Sequence, residues 1–308
     1  MKIVQIGIGK WGENHTKILS ELGVLSAVCD PNSQKSKEIG EKYSVNHYDS
    51  VDNLMISEDF VGAFVGTNLS TRSEMVTKLL CEKKHVFVEK PMTLDSGDGE
   101  KLKEISEKNK VIFTCGFDER FNPTIECVKN FVREKKYGDL VMMEFYREGK
   151  LSFEDNNGIV FDISINDIDI ANWIFGETPV VVFARLGSQN NEKEDFASIM
   201  LGYKENKTAI ILSNGFSSNN VRKLRAVCSE AVISSDLNSQ EIKISNEESK
   251  ISIEKKESIL LQIQNFIGAI EGKNELVVKP NEVINITKIA EAALLSSKQG
   301  VPIYLDLK

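Results

Sequence analysis

The sequence predicts an α/β protein, with an N-terminal Rossmann domain built on a parallel sheet and a C-terminal α+β domain built on a mostly antiparallel, open sheet. Three observations lead to this fold class. The chain opens with a strand that runs directly into G-x-G-x-x-G and a helix, and strands alternate with helices up to about residue 118. Short sequential strands dominate after that point. Since 308 residues exceed what one core usually fills, we expect two domains, 1–118 and 119–308.

The elements of the first domain follow from hydrophobic periodicity. Buried strands are short apolar runs, whereas helices carry apolar residues three or four positions apart. Because the two kinds alternate, we expect parallel strands with helices on both faces of the sheet. The predicted strands are 2–6, 24–29, 60–66, 86–88 and 111–115, and the predicted helices are 13–22, 73–83 and 102–109.

The second domain has a different order of elements. Several strands in succession, with few helices between them, are typical of an antiparallel sheet. Gly176 follows an apolar helix at 163–175 and is its expected C-terminal cap. The predicted strands are 140–146, 180–186, 197–203, 207–212, 223–228, 231–235 and 301–305, and the predicted helices are 124–134, 163–175, 259–271 and 281–298.

The glycine loop after the first strand predicts a dinucleotide site. Gly7 permits the tight turn, Gly9 lets the backbone approach a pyrophosphate, and Gly12 allows close packing of helix on strand. The N-terminus of the following helix offers N–H groups to the phosphates. The candidate cofactor-binding residues of this loop are Gly7, Ile8, Gly9, Lys10, Trp11 and Gly12.

Asp30 tests this interpretation, because it ends the second predicted strand roughly 20 residues beyond the glycines. A carboxylate there accepts hydrogen bonds from the adenosine ribose and repels a 2′-phosphate, which favours NAD. Lys35 and Lys37 lie close by, so NADP is kept as the less favoured cofactor. The alternative is that Asp30 only begins a turn at 30–33.

Charge and composition exclude several classes of partner. The formal net charge of −8 argues against nucleic acid or an anionic membrane as a ligand. No apolar run reaches membrane-spanning length, and the N-terminal strand does not resemble a secretory signal. The five cysteines are scattered without a C-x-x-C pair, which favours buried thiols in a reducing cytoplasm and no metal site.

Lys90 is the first candidate for chemistry. Glu89-Lys90-Pro91 directly follows the predicted strand 86–88, and ligands of open α/β sheets bind outside the carboxyl ends of their strands. A lysine in that position can hydrogen-bond a substrate oxygen or exchange a proton with it. The alternative, equally open from position alone, is that Glu89 and Lys90 are ordinary surface charges.

Asp162, Asn166 and Asp169 form a second candidate group. Their spacing of four and three residues places them on one face of a helix, where a polar stripe in an apolar segment could line a pocket. The alternative is that Asp162 caps the helix, while Asp167 and Asp169 interact favourably with its N-terminal dipole.

Arg120 lies in the segment 116–123 that joins the two predicted domains. Its guanidinium is a candidate to bind a substrate hydroxyl or carboxylate. An interdomain salt bridge is the alternative, and the sequence does not decide between the two roles. Pro123 suits the start of the helix that follows.

Taken together, these segments resemble the Gfo/Idh/MocA family of NAD(P)-dependent sugar and cyclitol oxidoreductases over nearly the whole chain. The resemblance implies that Lys90 is the active-site lysine and Asp162 the active-site aspartate. It implies that the second domain carries the substrate determinants and presents its open sheet face to another subunit, in a homodimer or homotetramer. The matching segments are Gly7 to Gly12 with Asn14-His15, Asp30, Thr67-Asn68, Glu89-Lys90-Pro91, 116–123 and 161–169.

The resemblance also adds Thr67, Asn68, Glu89 and Lys90 to the expected cofactor-binding residues. Two positions depart from it: Arg72 stands near a position where members often have His, and Asn166 replaces the His that accepts the substrate proton. An amide can orient a hydroxyl but has no titratable group. Lys90 therefore becomes the leading candidate for proton transfer, through Asp162 or water.

The expected function is that of an NAD-dependent oxidoreductase. Hydride would pass between nicotinamide and a ring hydroxyl or ketone carbon of a sugar, sugar nucleotide or cyclitol. Lys90, Asp162 and Asn166 are the expected catalytic residues, and with Arg120 they are the expected substrate contacts. The alternative function, motivated by Asn166, is a non-catalytic or weakly active protein that binds NAD and a sugar.

Overall fold

The computed structural model describes residues 1–150, 157–189, 192–245, 247–248 and 250–307. These residues form two compact units. The first unit comprises residues 1–116 and 259–284, and the second comprises the described parts of 117–258 and 285–308. No helix within the described ranges is long and apolar enough to cross a membrane.

The first unit is built on a six-stranded parallel sheet of order β3-β2-β1-β4-β5-β6, which confirms the predicted Rossmann domain. Three of its elements, α2, β3 and α3, were not predicted. Helix α2 buries only small residues and β3 is mostly exposed, so neither shows apolar periodicity in the sequence. The elements are β1 (Ile3–Ile6), α1 (Lys10–Glu21), β2 (Leu25–Cys29), α2 (Ser33–Tyr43), β3 (Asn46–Tyr48), α3 (Val51–Ser57), β4 (Gly62–Val65), α4 (Leu69–Cys81), β5 (His85–Val88), α5 (Ser96–Asn109) and β6 (Phe113–Cys115).

The second unit contains an eight-stranded sheet of order β13-β12-β11-β7-β10-β9-β8-β14. Strands β7 and β10 pair in parallel and the other neighbours pair antiparallel, which confirms the predicted mostly antiparallel sheet. The remaining elements of the chain are α6 (Pro123–Arg133), β7 (Leu140–Lys150), α7 (Ile165–Phe175), β8 (Val181–Gly187), β9 (Phe196–Gly202), β10 (Thr208–Asn214), β11 (Phe216–Cys228), β12 (Val232–Asp236), β13 (Glu241–Ile244), α8 (Ser258–Ile270), α9 (Pro280–Gln299) and β14 (Ile303–Tyr304).

Helix α8 belongs to the core of the first unit, although it lies far along the chain. The ring of Phe266 meets those of Phe64 on β4 and Phe87 on β5 edge to face, with centroids 5.2 and 5.8 Å apart. Ile263 is fully buried in the same cluster. The expected linear division at residue 118 did not include this return of the chain, since periodicity identifies a helix but not the sheet on which it packs.

Candidate functional site

The glycine loop has the geometry that a pyrophosphate requires. Gly7 adopts φ +81°, and a Cβ on Gly12 would lie 2.1 Å from the Gly7 carbonyl oxygen, so both positions need glycine. A Cβ on Gly9 would meet only open space. Gly9 also precedes α1, and within the described structure it caps the helix without a side-chain hydrogen bond. The N–H groups of the first turn therefore have no side-chain cap from Gly9, which suits them to bind a phosphate.

Asp30 holds the glycine loop from the end of β2. Its Oδ2 accepts a hydrogen bond from the Ile8 N–H at 2.7 Å, and its Oδ1 accepts one from the Asn32 N–H at 3.0 Å. The turn role and the cofactor role are therefore compatible, because each carboxylate oxygen keeps a second lone pair. Lys10 and Trp11 are exposed on the same loop. The arrangement fits the ribose and pyrophosphate of NAD.

Thr67 lies beside this loop, at the end of β4. A Cβ on Gly7 would come within 3.0 Å of the Thr67 methyl carbon. The Thr67 hydroxyl is buried and has no hydrogen-bond partner among the described residues. A buried hydroxyl without a partner is costly, so it is well placed to bond a ligand. Asn68, which follows it, is exposed at the start of α4.

Glu89 is buried, and its carboxylate is occupied by partners from its own unit. Its Oε1 lies 3.0 Å from His15 Nε2, and its Oε2 accepts the Lys90 N–H at 3.2 Å. Burial alone raises the pKa of the Glu89 carboxyl, but the hydrogen bond and charge of His15, with the charges of Lys90 and Arg72, lower it overall. Glu89 therefore joins α1 to the end of β5, and its expected cofactor contact stays a prediction.

Lys90 is half-buried at the carboxyl end of β5, and its peptide bond to Pro91 is cis. Strands β1 and β5 both flank β4 and run parallel to it, so the glycine loop and Lys90 emerge at the same edge of the sheet. The structure therefore places the predicted lysine on the edge that carries the cofactor loop.

Arg72 is the residue in this unit that sequence reasoning left without a role. It is buried in the first turn of α4, with 7% of its surface exposed. Its guanidinium donates hydrogen bonds to the main-chain carbonyl oxygens of Thr67, Glu89 and Pro91. The sequence feature that could have pointed to Arg72 is its position in the first turn of a helix that begins just after a buried strand.

Asp162 and Asn166 lie at the start of the predicted helix in the second unit. The helix begins with a π-helical turn at Val160–Ser164, which continues into α7, and Gly176 ends it with φ +72° as predicted. Such π-turns are frequent at functional sites. The Asp162 carboxylate is half-buried and accepts hydrogen bonds from the N–H and the side-chain amide of Asn157, both at 3.0 Å.

Asn166 keeps one polar atom for a ligand. Its Nδ2 donates to the Ile163 carbonyl oxygen at 3.0 Å, whereas its buried Oδ1 has no hydrogen-bond partner in the described part of the chain. With the amide in this orientation, the side chain can accept a hydrogen bond from a hydroxyl. It cannot accept the proton itself.

Glu194 is a further carboxyl group near this turn, and the sequence did not point to it. Its Oε1 lies so close to Gly158 that a Cβ there would be only 2.1 Å away, and Gly158 adopts φ +92°. Burial raises the pKa of Glu194, and the charge of Asp162 adds to the increase, although hydrogen bonds from backbone N–H groups oppose it.

Arg120 is committed to an ion pair inside the second unit. It is 3% exposed, and its Nε and Nη2 bond both carboxylate oxygens of Asp169, with the shortest contact at 2.5 Å. Both residues lie in the second unit, so the pair is not an interdomain salt bridge. Asp169 is fully buried against Arg120 and does not form a polar stripe with Asp162 and Asn166. The expected substrate contact of Arg120 is therefore not what the structure displays, since the guanidinium is buried against α7.

A second buried ion-pair network, centred on Arg147, also holds helix α7. Arg147 on β7 bonds Asp167 on α7 at 2.8 Å and Glu119 at 2.8 Å, and Arg222 also contacts Glu119 at 3.2 Å. Burial alone lowers the pKa of Arg147, but the two carboxylates outweigh it and raise the pKa. Within the described ranges, no cluster of His, Cys, Asp and Glu is placed to bind a metal ion.

Comparison with known proteins identifies relatives for both halves of the chain. A family model described as "Oxidoreductase family, NAD-binding Rossmann fold" matches residues 1–117, and one described as "GFO/IDH/MocA C-terminal domain" matches residues 125–234. Myo-inositol 2-dehydrogenase of Thermotoga maritima is 28% identical over 226 residues, which are 68% of this chain and 67% of the relative.

Two solved structures share the fold. UDP-N-acetylglucosamine 3-dehydrogenase of Acidithiobacillus ferrooxidans superposes with a TM-score of 0.89 at 19% identity, over 97% of this chain and 98% of that one. An oxidoreductase of Agrobacterium radiobacter, solved with NAD+, L-tartaric acid and magnesium, gives a TM-score of 0.88 at 16% identity, over 99% and 98% of the two chains.

Proposed function

Because the chain belongs to the Gfo/Idh/MocA family of NAD-dependent oxidoreductases acting on CH–OH groups, we propose that it interconverts a ring hydroxyl and the corresponding ketone carbon of a cyclitol, sugar or sugar nucleotide. The observation that carries the proposal is the position of Lys90, which leaves β5 at the sheet edge that also carries the glycine loop. A lysine there can act on the oxygen of the carbon that exchanges hydride.

Bound NAD supplies the hydride acceptor or donor. The glycine loop and the Asp30 carboxylate would hold its pyrophosphate and ribose, and the Thr67 hydroxyl would bond the cofactor beside that loop. Lys90 Nζ gives a proton to the ketone oxygen during reduction and accepts the hydroxyl proton during oxidation. The chain therefore carries its proton-transfer group on the cofactor-binding unit.

Asp162 and Asn166 bind substrate hydroxyls. The Asn166 Oδ1 accepts a hydrogen bond from one hydroxyl, and the half-buried Asp162 carboxylate, one π-helical turn earlier, binds another. Two acceptors of this kind suit a polyhydroxylated ring. Both relatives named above act on such rings, one on myo-inositol and one on UDP-N-acetylglucosamine.

A substrate screen tests the proposal. Inositols, free sugars and nucleotide sugars are mixed with the protein and either NAD or NADP, and absorbance of the reduced nicotinamide is followed. We expect turnover with at least one ring polyol and a preference for NAD. At saturating cofactor, the Lys90→Met variant should lose at least about 10²-fold in kcat, the usual contribution of a general acid–base group.

The alternative function, an NAD- and sugar-binding protein without turnover, predicts a different outcome. Calorimetry would then detect binding of NADH and a sugar by the unaltered protein, while no member of the panel changes the nicotinamide absorbance. Full turnover by Lys90→Met would instead show that Lys90 is outside the reaction.

The proposal includes a homodimer or homotetramer formed through the open face of the second unit's sheet. Along β9 the buried residues alternate with exposed ones, and Met200 is 45% exposed. The register places Met200 between Phe183 and Ile210, so an apolar band crosses three strands. Exposed apolar bands of this kind mark association surfaces. Light scattering should give a dimer or tetramer for the unaltered protein and a monomer for Met200→Lys.

A control places the same charge elsewhere. Glu205→Lys, on an exposed turn of the same unit, should keep the assembly of the unaltered protein. A monomeric unaltered protein at micromolar concentration would contradict this part of the proposal. The five cysteines are free, which supports a cytoplasmic location that cell fractionation can check.

A further inference from the structure

Arg72 holds the chain on both sides of Lys90. Its Nη1 donates to the carbonyl oxygen of Glu89 at 2.8 Å and to that of Pro91 at 2.5 Å. Its Nε donates to the carbonyl oxygen of Thr67 at 3.0 Å, and its Nη2 donates to the same oxygen. One guanidinium therefore ties the segment after β4 to the segment after β5.

The chemistry of these contacts requires arginine. The guanidinium presents five N–H donors in a rigid plane, whereas lysine has one nitrogen and neutral histidine one donor. Hydrogen bonds from a charged donor are shorter and stronger than neutral ones. A buried cation would be costly without such partners, and at 7% exposure Arg72 can find few in water. The carbonyl oxygens of Thr67, Glu89 and Pro91 supply them.

We infer that Arg72 is a positioning residue for Lys90: by fixing the carbonyl groups before and after Lys90 and that of Thr67, it sets the ammonium group in register with the cofactor loop. The inference rests on the proposed function, because it assumes that Lys90 acts on the substrate oxygen. It assigns to Arg72 a role that acts through Lys90, by way of hydrogen bonds to the main chain on both sides of that residue. A displacement of about 1 Å in a reacting group can cost about 10²-fold in rate.

The first experiment needs no substrate. Amide hydrogen exchange is measured for peptides covering 66–69 and 88–93 in the unaltered protein, Arg72→Lys and Arg72→His. Loss of the guanidinium fork should speed exchange in both peptides by about tenfold, the equivalent of one lost hydrogen bond. Leu54→Ala is the control, because it removes a fully buried side chain of α3 in the same unit. It should leave both peptides unchanged relative to the rest of the unit.

The second experiment uses a substrate found in the screen and a double-mutant cycle. Arg72→Lys should lower kcat by about 10- to 100-fold with little change in KM, and it should raise the deuterium isotope effect on kcat, because the chemical step becomes slower. In the Lys90→Met background, the same substitution should change kcat by less than about threefold, because a positioning residue acts through the group it positions. Leu54→Ala should change neither the isotope effect nor the cycle.

The outcomes separate the two proposals. If the unaltered protein turns over no ring polyol, the proposed function fails, while the exchange data still test the contacts of Arg72. If turnover is found but Arg72→Lys costs the same factor with and without Lys90, the positioning role is overturned and the proposed function stands.

A measurement on the unaltered protein covers the case in which neither Arg72 variant folds. Nitrogen NMR of the Arg72 side chain should show restricted rotation about its Cζ–Nη bonds, as three carbonyl partners demand. Free rotation would overturn the inference.

Discussion

The two units fix their candidate catalytic residues with buried arginines, but the partners differ. In the first unit Arg72 donates hydrogen bonds to neutral main-chain carbonyl groups after β4 and β5. In the second unit Arg120 and Arg147 bond carboxylates, those of Asp169 and of Asp167 and Glu119. All three side chains are at most 7% exposed.

Because their partners differ, removal of these arginines should have different effects on stability and on activity. Removing Arg120 or Arg147 leaves a carboxylate buried without its partner, which costs about 3–5 kcal/mol. Removing Arg72 leaves neutral carbonyl groups unbonded, which costs about 1–3 kcal/mol. Loss of a buried arginine should therefore lower the free energy of unfolding more in the second unit than in the first. Loss of Arg72 should lower the reaction rate more, because Arg72 bonds the main chain on both sides of Lys90.

The largest expected effect is on Arg147. Arg147→Met removes the partner of Asp167 and one partner of Glu119, so the free energy of unfolding of the second unit should fall by about 3–5 kcal/mol. Urea unfolding followed by a probe in the second unit measures this. Arg225→Met is the matched control, since Arg225 also pairs with a carboxylate, that of Glu144, but is 45% exposed and should cost less than about 1 kcal/mol. Equal losses in the two variants would contradict the larger cost assigned to a buried carboxylate that loses its partner.

The next prediction concerns acid. Burial raises the pKa of Glu89 and of Glu119, but nearby cations and hydrogen bonds lower both overall: His15 and Lys90 in the first case, Arg147 and Arg222 in the second. A lowered folded-state pKa contributes stability that is present above the usual glutamate pKa near 4.5 and is lost as the pH falls through the folded value. Glu89 and Glu119 should therefore each withdraw their contribution to the stability of their own unit below pH 4.5.

Single substitutions assign that loss to each unit. Glu119→Gln should reduce the acid-dependent loss of the second unit, and Glu89→Gln that of the first, when urea midpoints at neutral pH and below pH 4.5 are compared. Each variant should also lose about 1–3 kcal/mol at neutral pH, because a hydrogen-bonded charge is replaced. Glu205→Gln, at a side chain that is 80% exposed, should follow the unaltered protein at both pH values. An unchanged acid dependence in both buried variants would show that other carboxylates control it.

How far the sequence predicts the site also differs between the units. In the first unit the glycines, Asp30 and Lys90 each come just after a strand (β1, β2 and β5), so a local sequence pattern was enough to select them. Arg72 was missed, because its partners are main-chain atoms that leave no trace in residue identity. In the second unit the spacing of Asp162, Asn166 and Asp169 predicted one polar stripe. The structure gives them different partners, since Arg120 binds Asp169 and a π-helical turn carries Asp162.

The return of α8 to the first unit shows the same limit. The apolar periodicity of 259–271 predicted the helix, and Ile263 and Phe266 were part of that pattern. The identity of the sheet that they cover is a long-range packing choice, decided by the rings of Phe64 and Phe87. Local patterns predict elements and the residues at strand ends, whereas pairings between distant segments need the folded chain.

The smallest expected effect tests the division of chemical roles between the units. Asn166→His installs a titratable group at a position of α7 that now carries a neutral amide. If the proton path reaches residue 166, kcat should fall by up to about tenfold below about pH 6.5, where the new imidazole is protonated. Asn166→Gln is the control. It keeps a neutral amide, so at pH values below about 6.5 its kcat should not fall as that of Asn166→His does. A pH profile that His leaves unchanged would place residue 166 outside the proton path and leave proton transfer to Lys90 on the first unit.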